Sequence, residues 1–339
     1  MECDEQLLSE EGSGASSAVE LWIVVPCYNE QEVLHETARR LSEKMRSLQQ
    51  AGLVSSKSKI LLVNDGSRDA TWAMIRSLHE GTLDDLQVEP GLFCGISLAH
   101  NAGHQNALYS GLMHALEAGC ECAISLDADL QDDVDAIDEM LARHAEGAEV
   151  VYGVRNNRDT DTAFKRNTAE AFYGLMRWLG VEMVSDSADY RLMGHRALAA
   201  LAQYGESNLF LRGIVPALGF TTAKVYYKRA ERFAGESKYP LRKMIAFALE
   251  GITSFSVAPI RMVVLAGVLA MIFSLAMVVY ALVSRVRGFV VAGWTSLMVS
   301  VWFVGGLIMV SLGIVGEYVG KAYLEAKRRP RYIIGEVLE

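Results

Sequence analysis

Two long stretches without a charged residue lie in the last quarter of the chain, and they constrain its fold more than any other feature. Met262 to Ser284 reads MVVLAGVLAMIFSLAMVVYALVS, and Gly288 to Gly316 forms the second stretch. Each exceeds the roughly 20 apolar residues that cross the core of a bilayer. Because the core helices of soluble proteins seldom run so long without a charge, we predict two transmembrane helices rather than a buried hairpin.

Basic residues collect on one side of the predicted spans. Arg242, Lys243 and Arg261 precede the first span, whereas the short connection between the spans holds Arg285 and Arg287. The residues that follow the second span include Lys321, Lys327, Arg328, Arg329 and Arg331. Because Lys and Arg accumulate on the cytoplasmic side of membrane proteins, we predict a multi-pass protein of the inner (plasma) membrane with both termini and the soluble domain in the cytoplasm.

The rest of the chain divides by composition. Residues 1–19 are acidic and rich in Ser and Gly, without the features of a signal peptide, which predicts a disordered tail. We expect residues 20–238 to form the cytoplasmic domain, 261–318 the spans and 319–339 a basic C-terminal segment. Apolar residues at helical spacing predict an interfacial helix within 239–260, although an amphipathic core helix has the same pattern. A formal net charge of -9 gives no reason to expect a nucleic-acid partner.

Short apolar runs that end in polar residues alternate with helical patterns. The runs, which predict strands, are Leu21 to Glu30, Lys59 to Ser67, Phe93 to Asn101 and Cys122 to Asp129. The helical patterns cover about Gln31 to Gln50, Ala70 to Glu80 and Gly103 to Ala118. The alternation predicts an α/β fold, a mostly parallel sheet with helices on both faces. Ligands of such sheets bind beyond the carboxyl ends of the strands, so one rim should carry Pro26, Tyr28, Glu30, Asn64, Asp65, Asp127 and Asp129.

The stretch AISLDADLQDD sets an apolar run directly against carboxylates. A lone Asp-x-Asp is more often a surface turn than a site. Here, however, Asp127 and Asp129 end a predicted central strand, and with the amide oxygen of Gln131 they form a ligand set suited to Mg²⁺ or Mn²⁺. A metal at this rim would neutralise a diphosphate leaving group. The first turn of the next helix, whose positive end favours carboxylates, is expected to hold Asp132, Asp133 and Asp135.

A set of motifs in fixed order resembles a known enzyme family: VVPCYNE, LLVNDGSRDAT, NAGHQNALYSGL, SLDADLQDD, DYRLM, GESKYP and EGITSFSVAPIR, followed by the spans and GEYVGKAYLEAKRRPRYII. The set resembles the family 2 glycosyltransferases of the polyprenyl-phosphate type over about Leu21 to Ile334. Within that type it is most similar to bactoprenol (undecaprenyl-phosphate) glucosyltransferases, with dolichol-phosphate mannose synthases as relatives. The sequence departs from the family at Asn64, where many members have Asp, and at Val134, where Pro is common.

The resemblance implies a Rossmann-like GT-A fold and a metal-dependent enzyme that transfers a sugar from a nucleotide-sugar to a polyprenyl phosphate. By motif, the nucleoside ligands would be Pro26, Tyr28, Glu30 and Asp65. The ligands of the metal and diphosphate would be Asp127, Asp129 and Gln131. The family's loop over the diphosphate corresponds to ERFAGESKYP, which assigns to the donor side Arg232, Ser237 and Lys238. UDP-glucose is the favoured donor, with UDP-N-acetylglucosamine or GDP-mannose as alternatives. The resemblance also implies that the protein forms a tetramer.

Basic residues also collect in the segment VRNNRDTDTAFKRNTAEAFY. A solvated helix face, balanced by Asp159 and Asp161, is one interpretation. With a phosphate as the implied acceptor, the other interpretation makes these basic residues its ligands: Arg155, Arg158, Lys165 and Arg166.

Asp189, in SADYRLM, stands where the family usually has its base, and Arg191 follows in the same motif. A purely structural pair of these two residues is the alternative. The second pKa of a phosphate monoester is near about 6, so the acceptor needs little deprotonation at neutral pH. We therefore expect Asp189 to orient the acceptor or the sugar, or to take the remaining proton, during a direct attack that inverts the anomeric centre.

Two rival functions stay open. A processive polysaccharide synthase of the same fold typically carries Gln-x-x-Arg-Trp; Arg177 and Trp178 occur here, but Gly174 replaces the Gln. The second rival is a catalytically silent membrane scaffold, against which the complete set of rim carboxylates argues.

Overall fold

The structure is a computed structural model that describes residues 18–83, 86, 88–156, 187–206, 209–228, 258–287 and 293–339. The strands are β1 (Leu21–Cys27), β2 (Lys59–Asn64), β3 (Phe93–Leu98), β4 (Cys122–Ser125), β5 (Val150–Arg155), β6 (Ser187–Gly194), β7 (Thr222–Tyr227) and β8 (Ile334–Leu338). The helices are α1 (Leu34–Gln50), α2 (Thr71–His79), α3 (His104–Glu117), α4 (Ala136–Ala145), α5 (His195–Leu201), α6 (Leu211–Ala217), α7 (Ala258–Val286) and α8 (Trp294–Ala326). The strands form one sheet in the order β7-β5-β6-β4-β1-β2-β3-β8.

The centre of this sheet is parallel, as the sequence predicts. β1 pairs in parallel with β2 on one side and with β4 on the other, and β2 pairs in parallel with β3. Helices α1, α2 and α3 follow β1, β2 and β3 in the predicted alternation. Since β4, β1 and β2 run in the same direction, their carboxyl ends open on one rim of the sheet.

Helices cover both faces of the sheet because the central strands have buried side chains on both of their faces. Along β1, alternate side chains enter opposite cores: Leu21, Ile23 and Val25 enter one, and Trp22 and Val24 enter the other. The first core also contains buried residues of α1, α2 and α4, and the second contains those of α3, α5 and α6. This two-sided burial confirms the predicted α/β class.

β6 brings an antiparallel strand to the centre of the sheet. It pairs antiparallel with both β4 and β5, while β7 lies parallel to β5. In the register with β4, Arg191 lies opposite Ser125, the last residue of that strand. Because the neighbours run in opposite directions, the start of β6 extends past the end of β4. Asp189 therefore reaches the same rim as Asp127.

The loops at this rim are bound to each other. The backbone N–H of Asn29 donates to Ser67 Oγ at 3.0 Å, and the backbone N–H of Arg68 donates to Asn29 Oδ1 at 2.9 Å. Gly66 has a φ of 63°, and a Cβ there would lie 2.6 Å from the backbone nitrogen of Asn101. Only glycine allows the loop after β3 to approach the loop after β2 so closely.

Helices α7 and α8 leave apolar side chains uncovered. Pro259–Met277 and Phe303–Ala326 are long and apolar enough to cross a membrane, and neither stretch is buried against protein. Phe303, for example, is 69% exposed. An apolar surface of this extent requires lipid or a protein partner, in agreement with the predicted spans. The tail at 1–17 and the part of the predicted interfacial helix at 239–257 lie outside the described residues.

The segment after α8 returns to the sheet, which the sequence analysis did not predict. β8 pairs antiparallel with β3. Glu336 accepts hydrogen bonds from Trp72 Nε1 at 3.1 Å and from Arg76 Nη2 at 2.7 Å. The guanidinium of Arg331 lies over the ring of Tyr109, 4.6 Å from its centroid. The second apolar helix is thus tied to the edge of the soluble domain by a strand a few residues downstream.

The close approach at Gly66 gives a stability prediction. Gly66→Ala should destabilise the protein more than Gly52→Ala, since both glycines have positive φ but the structure leaves open space around a Cβ at Gly52. We expect about 1–2 kcal/mol of left-handed strain for Gly52→Ala. Overpacking against backbone should add about 1–3 kcal/mol more for Gly66→Ala. Thermal unfolding of the detergent-solubilised variants measures the difference, and equal losses would contradict the proposed contact.

Candidate active site

Asp127 and Asp129 follow β4 in a tight turn at the rim. The backbone N–H of Gln131 donates to Asp129 Oδ1 at 3.2 Å, and Leu130 between them has a left-handed φ of 57°. Both carboxylate residues are partly exposed, whereas Gln131 is buried. The turn holds the two carboxylates at the carboxyl end of β4, the position expected from the sequence.

Negative charge is concentrated around Asp127. Burial is the largest cause that raises the pKa of Asp127 to about 6, and the charge of His104 opposes the rise. The pKa is raised further by the negative charges of Asp189, Asp132 and Asp129. Among the described residues, no group of three His, Cys, Asp or Glu side chains could hold a metal alone. Two carboxylates in one turn suit a hard divalent cation that keeps several waters and shares phosphate oxygens.

Asp189 lies beside this negative cluster and is surrounded by cations. Its side chain is buried, and Oδ1 accepts from Arg191 Nη2 at 2.6 Å. Arg212 donates from Nε to Oδ1 at 3.3 Å and from Nη2 to Oδ2 at 3.1 Å. Burial acts to raise the pKa of Asp189, but a hydrogen bond from His104 and the charges of both arginines hold it well below its ordinary value. The carboxylate is therefore fully ionised near neutral pH.

His104, at the start of α3, connects the two acidic residues. Its Nε2 lies 3.6 Å from Asp127 Oδ1 and 3.5 Å from Asp189 Oδ2. Burial acts to lower the pKa of His104, but its hydrogen bond to Asp189 and the two negative charges raise it on balance. Through this imidazole, Asp127 and Asp189 belong to one site.

Leu211, the first residue of α6, is held from two sides. Its N–H donates to Gln105 Oε1 at 3.1 Å, and its carbonyl accepts from Arg191 Nη1 at 3.2 Å. These bonds place the next residue, Arg212, against Asp189. The sequence analysis assigned none of His104, Gln105 and Arg212. The motif NAGHQNALYSGL could have drawn attention to the first two, whereas Arg212 lies in no motif that we identified.

The residues assigned to the nucleoside lie at the carboxyl ends of β1 and β2: Pro26, Tyr28, Glu30 and Asp65. The ring of Tyr28 is at the surface, with the residue 44% exposed. Asp65 is buried, and its carboxylate accepts the backbone N–H groups of Ala102 at 2.6 Å and Gly103 at 3.0 Å. Burial raises the pKa of Asp65, and these bonds oppose the rise. Asp65 therefore fixes the loop that leads into α3.

Asp132 is not a helix-start residue, contrary to the prediction. Helix α4 begins at Ala136, and Asp132 is buried, with Oδ1 accepting from the hydroxyl of Tyr227 and from Arg155 Nη2. These partners come from β7 and β5, so the sequence around Asp132 could not reveal them. Asp135 is the N-cap residue of α4, whereas Asp133 precedes the helix, contrary to the prediction, and its Oδ1 accepts the N–H of Asp135 at 2.9 Å. The other predicted ligands, Arg158, Lys165, Arg166, Arg232, Ser237 and Lys238, lie outside the described residues.

A mostly parallel sheet with carboxylates at the ends of its strands agrees with the glycosyltransferase class that the motifs predict. Residues 22–201 match the protein family described as Glycosyl transferase family 2, which is more than half of the 339 residues. The chain therefore belongs to glycosyl transferase family 2, and the predicted enzyme class is confirmed.

Two relatives are similar over most of the chain. The uncharacterized glycosyltransferase YkoT of Bacillus subtilis (strain 168) is 49% identical over 93% of this chain and 90% of its own length. The prophage bactoprenol glucosyl transferase homolog of Escherichia coli (strain K12) is 36% identical over 93% of this chain and 98% of its own length. Among solved structures, the mannosyltransferase PcManGT from Pyrobaculum calidifontis has a TM-score of 0.42 and 14% identity, covering 91% of this chain and 86% of that one. This last similarity is too remote to support an argument.

The buried pair at the site predicts a specific stability effect. Asp189→Asn should lower the free energy of unfolding by about 3 kcal/mol, because the buried guanidinium of Arg191 loses its counter-charge. A double variant, Asp189→Asn with Arg191→Met, should recover much of the loss. The control is Glu139→Gln, which breaks the exposed pair with Arg143 and should cost less than about 1 kcal/mol. Thermal unfolding measures all three, and an Asp189→Asn loss no larger than that of the control would contradict the buried pairing.

Proposed function

We propose that the protein transfers one sugar from a nucleotide-sugar to a polyprenyl phosphate at a membrane. The proposal is carried by one combination: a rim whose two carboxylates suit a metal-bound diphosphate, and two uncovered apolar helices, the second of which leads into a strand of the same sheet. The Escherichia coli relative, named as a bactoprenol glucosyl transferase homolog, is similar over 93% of this chain. It supports undecaprenyl phosphate as the acceptor.

UDP-glucose is the donor that we propose, because that relative is named for glucosyl transfer. UDP-N-acetylglucosamine and GDP-mannose remain alternatives, since diphosphate chemistry is common to all three. In this proposal the exposed ring of Tyr28 offers a surface on which a base can stack. Pro26, Glu30 and Asp65 complete the nucleoside side, and the diphosphate is covered by Arg232, Ser237 and Lys238.

A divalent cation, Mg²⁺ or Mn²⁺, is the cofactor we propose, held by Asp127 and Asp129 with Gln131 as third ligand. It would supply positive charge to the departing diphosphate. Burial is the largest cause of the raised pKa of Asp127 and the neighbouring carboxylates add to it, and a bound cation would favour the ionised form against both effects.

The acceptor phosphate attacks the anomeric carbon directly in our proposal. The bond to the phosphate oxygen forms as the bond to the diphosphate breaks, the electron pair leaves with the nucleoside diphosphate, and the anomeric centre inverts. Because the second pKa of a phosphate monoester is near about 6, the attacking dianion is available at neutral pH. The low pKa of Asp189 makes it a weak base. We therefore assign Asp189, held by Arg191, an orienting role rather than proton abstraction.

The proposed location is the inner membrane, with the catalytic domain and both termini in the cytoplasm. The basic flanks of the spans support this orientation. The pairing of β8 with β3 also supports it, since it requires the end of α8 and the catalytic sheet to lie on the same side of the membrane. The acceptor would meet Arg155, Arg158, Lys165 and Arg166, and a tetramer is the oligomer we propose.

A transfer assay tests the proposed function. Purified protein is incubated with Mg²⁺ or Mn²⁺, undecaprenyl phosphate in detergent, and each radiolabelled donor in turn: UDP-glucose, UDP-N-acetylglucosamine and GDP-mannose. We expect one sugar per lipid, with UDP-glucose the fastest donor. A long polymer would instead identify a processive synthase, and no product with any donor would favour the silent scaffold.

The metal assignment has its own test within the acidic stretch. Asp129→Ala should abolish transfer, at least about 100-fold, because the diphosphate loses the cation that neutralises it. Asp135→Ala is the matched control, since this exposed carboxylate pairs with Lys44 of α1. The control should retain wild-type transfer, and both variants should remain folded. Undiminished transfer by Asp129→Ala would refute the assignment.

A further inference from the structure

Arg155 ends β5 at the same rim as the proposed metal ligands. β6 is antiparallel to both β4 and β5, so β4 and β5 run in the same direction and their carboxyl ends share the rim. In the sheet order β2, β1, β4, β6, β5, the proposed nucleoside ligands lie at one end and Arg155 at the other. Arg155 therefore lies on the far side of the metal ligands from the nucleoside, where the anomeric carbon must meet the acceptor.

Arg155 is also within electrostatic reach of the proposed metal site. Its side chain is 28% exposed. Burial acts to lower the pKa of Arg155, but Tyr227, Asp132 and Asp127 raise it on balance. Arg155 thus has a partly exposed, charged side chain whose field includes a carboxylate at the end of β4.

Two oxygen atoms hold the guanidinium of Arg155 along one edge. Its Nε donates to the hydroxyl of Tyr227 at 3.3 Å, and its Nη2 donates to Asp132 Oδ1 at 3.4 Å. The Tyr227 hydroxyl in turn donates its proton to the same Oδ1. Because a phenolic hydroxyl has one proton, this donation leaves the Tyr227 oxygen as an acceptor toward Arg155. The three side chains form a closed ring of hydrogen bonds.

The aromatic ring of Tyr227 is itself held in place. Tyr227 is 3% exposed, and it lies opposite Arg155 in the register of β7 with β5. The ring of Tyr190, from β6, packs against it edge to face, with 5.3 Å between the centroids. A tyrosine side chain has two χ angles, so a packed ring leaves its hydroxyl little freedom. The position of the ring therefore determines where Nε of Arg155 can form its hydrogen bond.

Asp132 anchors this ring of bonds to the turn proposed for the metal. It follows Gln131 directly, and its side chain is 1% exposed. Among the described residues, no hydrogen-bond partner lies beside its second carboxylate oxygen, Oδ2. A buried carboxylate with one oxygen unpartnered costs free energy of folding that an apolar side chain would not. Stability alone therefore gives little reason for a carboxylate at this position, which favours a role in the site.

We propose that Tyr227, anchored on Asp132, positions the guanidinium of Arg155 for the phosphate of the lipid acceptor. This inference rests on the proposed function, in which Arg155 is a ligand of that phosphate. A planar guanidinium binds phosphate oxygens in pairs, so its orientation matters as well as its charge. Since Asp132 belongs to the same turn as Asp129, the ring of bonds also sets the distance between the metal-bound diphosphate and the acceptor phosphate.

The experiment uses Tyr227→Phe, which removes the hydroxyl and keeps the ring. We measure the KM for undecaprenyl phosphate in detergent, at a saturating concentration of the donor that supports wild-type transfer. The Kd of that donor is measured separately by calorimetry, with Mn²⁺ and without acceptor. We expect the acceptor KM to rise about 3- to 10-fold, the usual effect of losing one hydrogen bond to a charged group, and the donor Kd to stay within about twofold.

Tyr226→Phe is the matched control. Tyr226 is the preceding residue of β7, is 61% exposed, and has its side chain on the other face of the strand from Tyr227. The control variant should leave both constants unchanged. Thermal unfolding checks that each variant is folded.

Arg155→Lys distinguishes positioning from a general structural role. Lysine keeps the charge but has neither the planar fork nor an Nε–H that Tyr227 could accept. This variant alone should raise the acceptor KM about tenfold. In the Arg155→Lys background, Tyr227→Phe should change the acceptor KM by less than about twofold, because the group through which Tyr227 acts has been removed.

Three results would overturn the positioning role while wild-type transfer keeps the proposed function intact. The first is an unchanged acceptor KM in Tyr227→Phe or in Arg155→Lys. The second is a weakened donor Kd with a normal acceptor KM. The third is an equal effect of Tyr227→Phe in the Arg155→Lys and native backgrounds. Absence of wild-type transfer to undecaprenyl phosphate would overturn the proposed function itself, and the role of Tyr227 with it.

Discussion

The site depends on the contacts of one ionised carboxylate, that of Asp189, which is buried beneath the rim. A charge in this position is stable only with close partners, and the fold supplies them from three elements: Arg191 from its own strand, Gln105 from α3 and Arg212 from α6. Each partner also binds Leu211 or adjoins it, so the same network fixes where α6 begins. The position of the helix and the charge state of the carboxylate are therefore coupled.

Acidic and basic side chains occupy different parts of this crevice. Asp127 and Asp129 lie at the end of β4, whereas Arg191 and Arg212 bind Asp189 of β6, and His104 lies between Asp127 and Asp189. The sugar transfer that we propose places a cation beside the departing diphosphate, and the carboxylates at the end of β4 suit that cation.

The apolar helices are connected to the catalytic sheet by the strand that follows α8 as well as by the chain that leads into them. α8 contains 33 residues, about 50 Å of helix, which exceeds the roughly 30 Å hydrocarbon core of a bilayer. The strand that follows joins the edge of the catalytic sheet, where Glu336 and Arg331 bind side chains of α2 and α3. A sheet attached in this way has limited freedom to move away from the lipid surface, which suits an enzyme whose proposed acceptor carries its phosphate at that surface.

Local sequence patterns were sufficient to predict β1 to β4, α1 to α3 and the two apolar helices. Periodicity and length show directly which faces of an element meet an apolar environment. They also placed Asp127 and Asp129 at the rim, since the end of a parallel strand is itself a local feature. The motif resemblance added the enzyme family and drew attention to Asp189. The tertiary structure alone decided that β8 closes the sheet edge, that Asp132 is buried against Tyr227 and Arg155, and that Arg212 binds Asp189. The reason is physical: the partner of a charge or of a strand edge is whichever distant element folds beside it, and no local pattern records that.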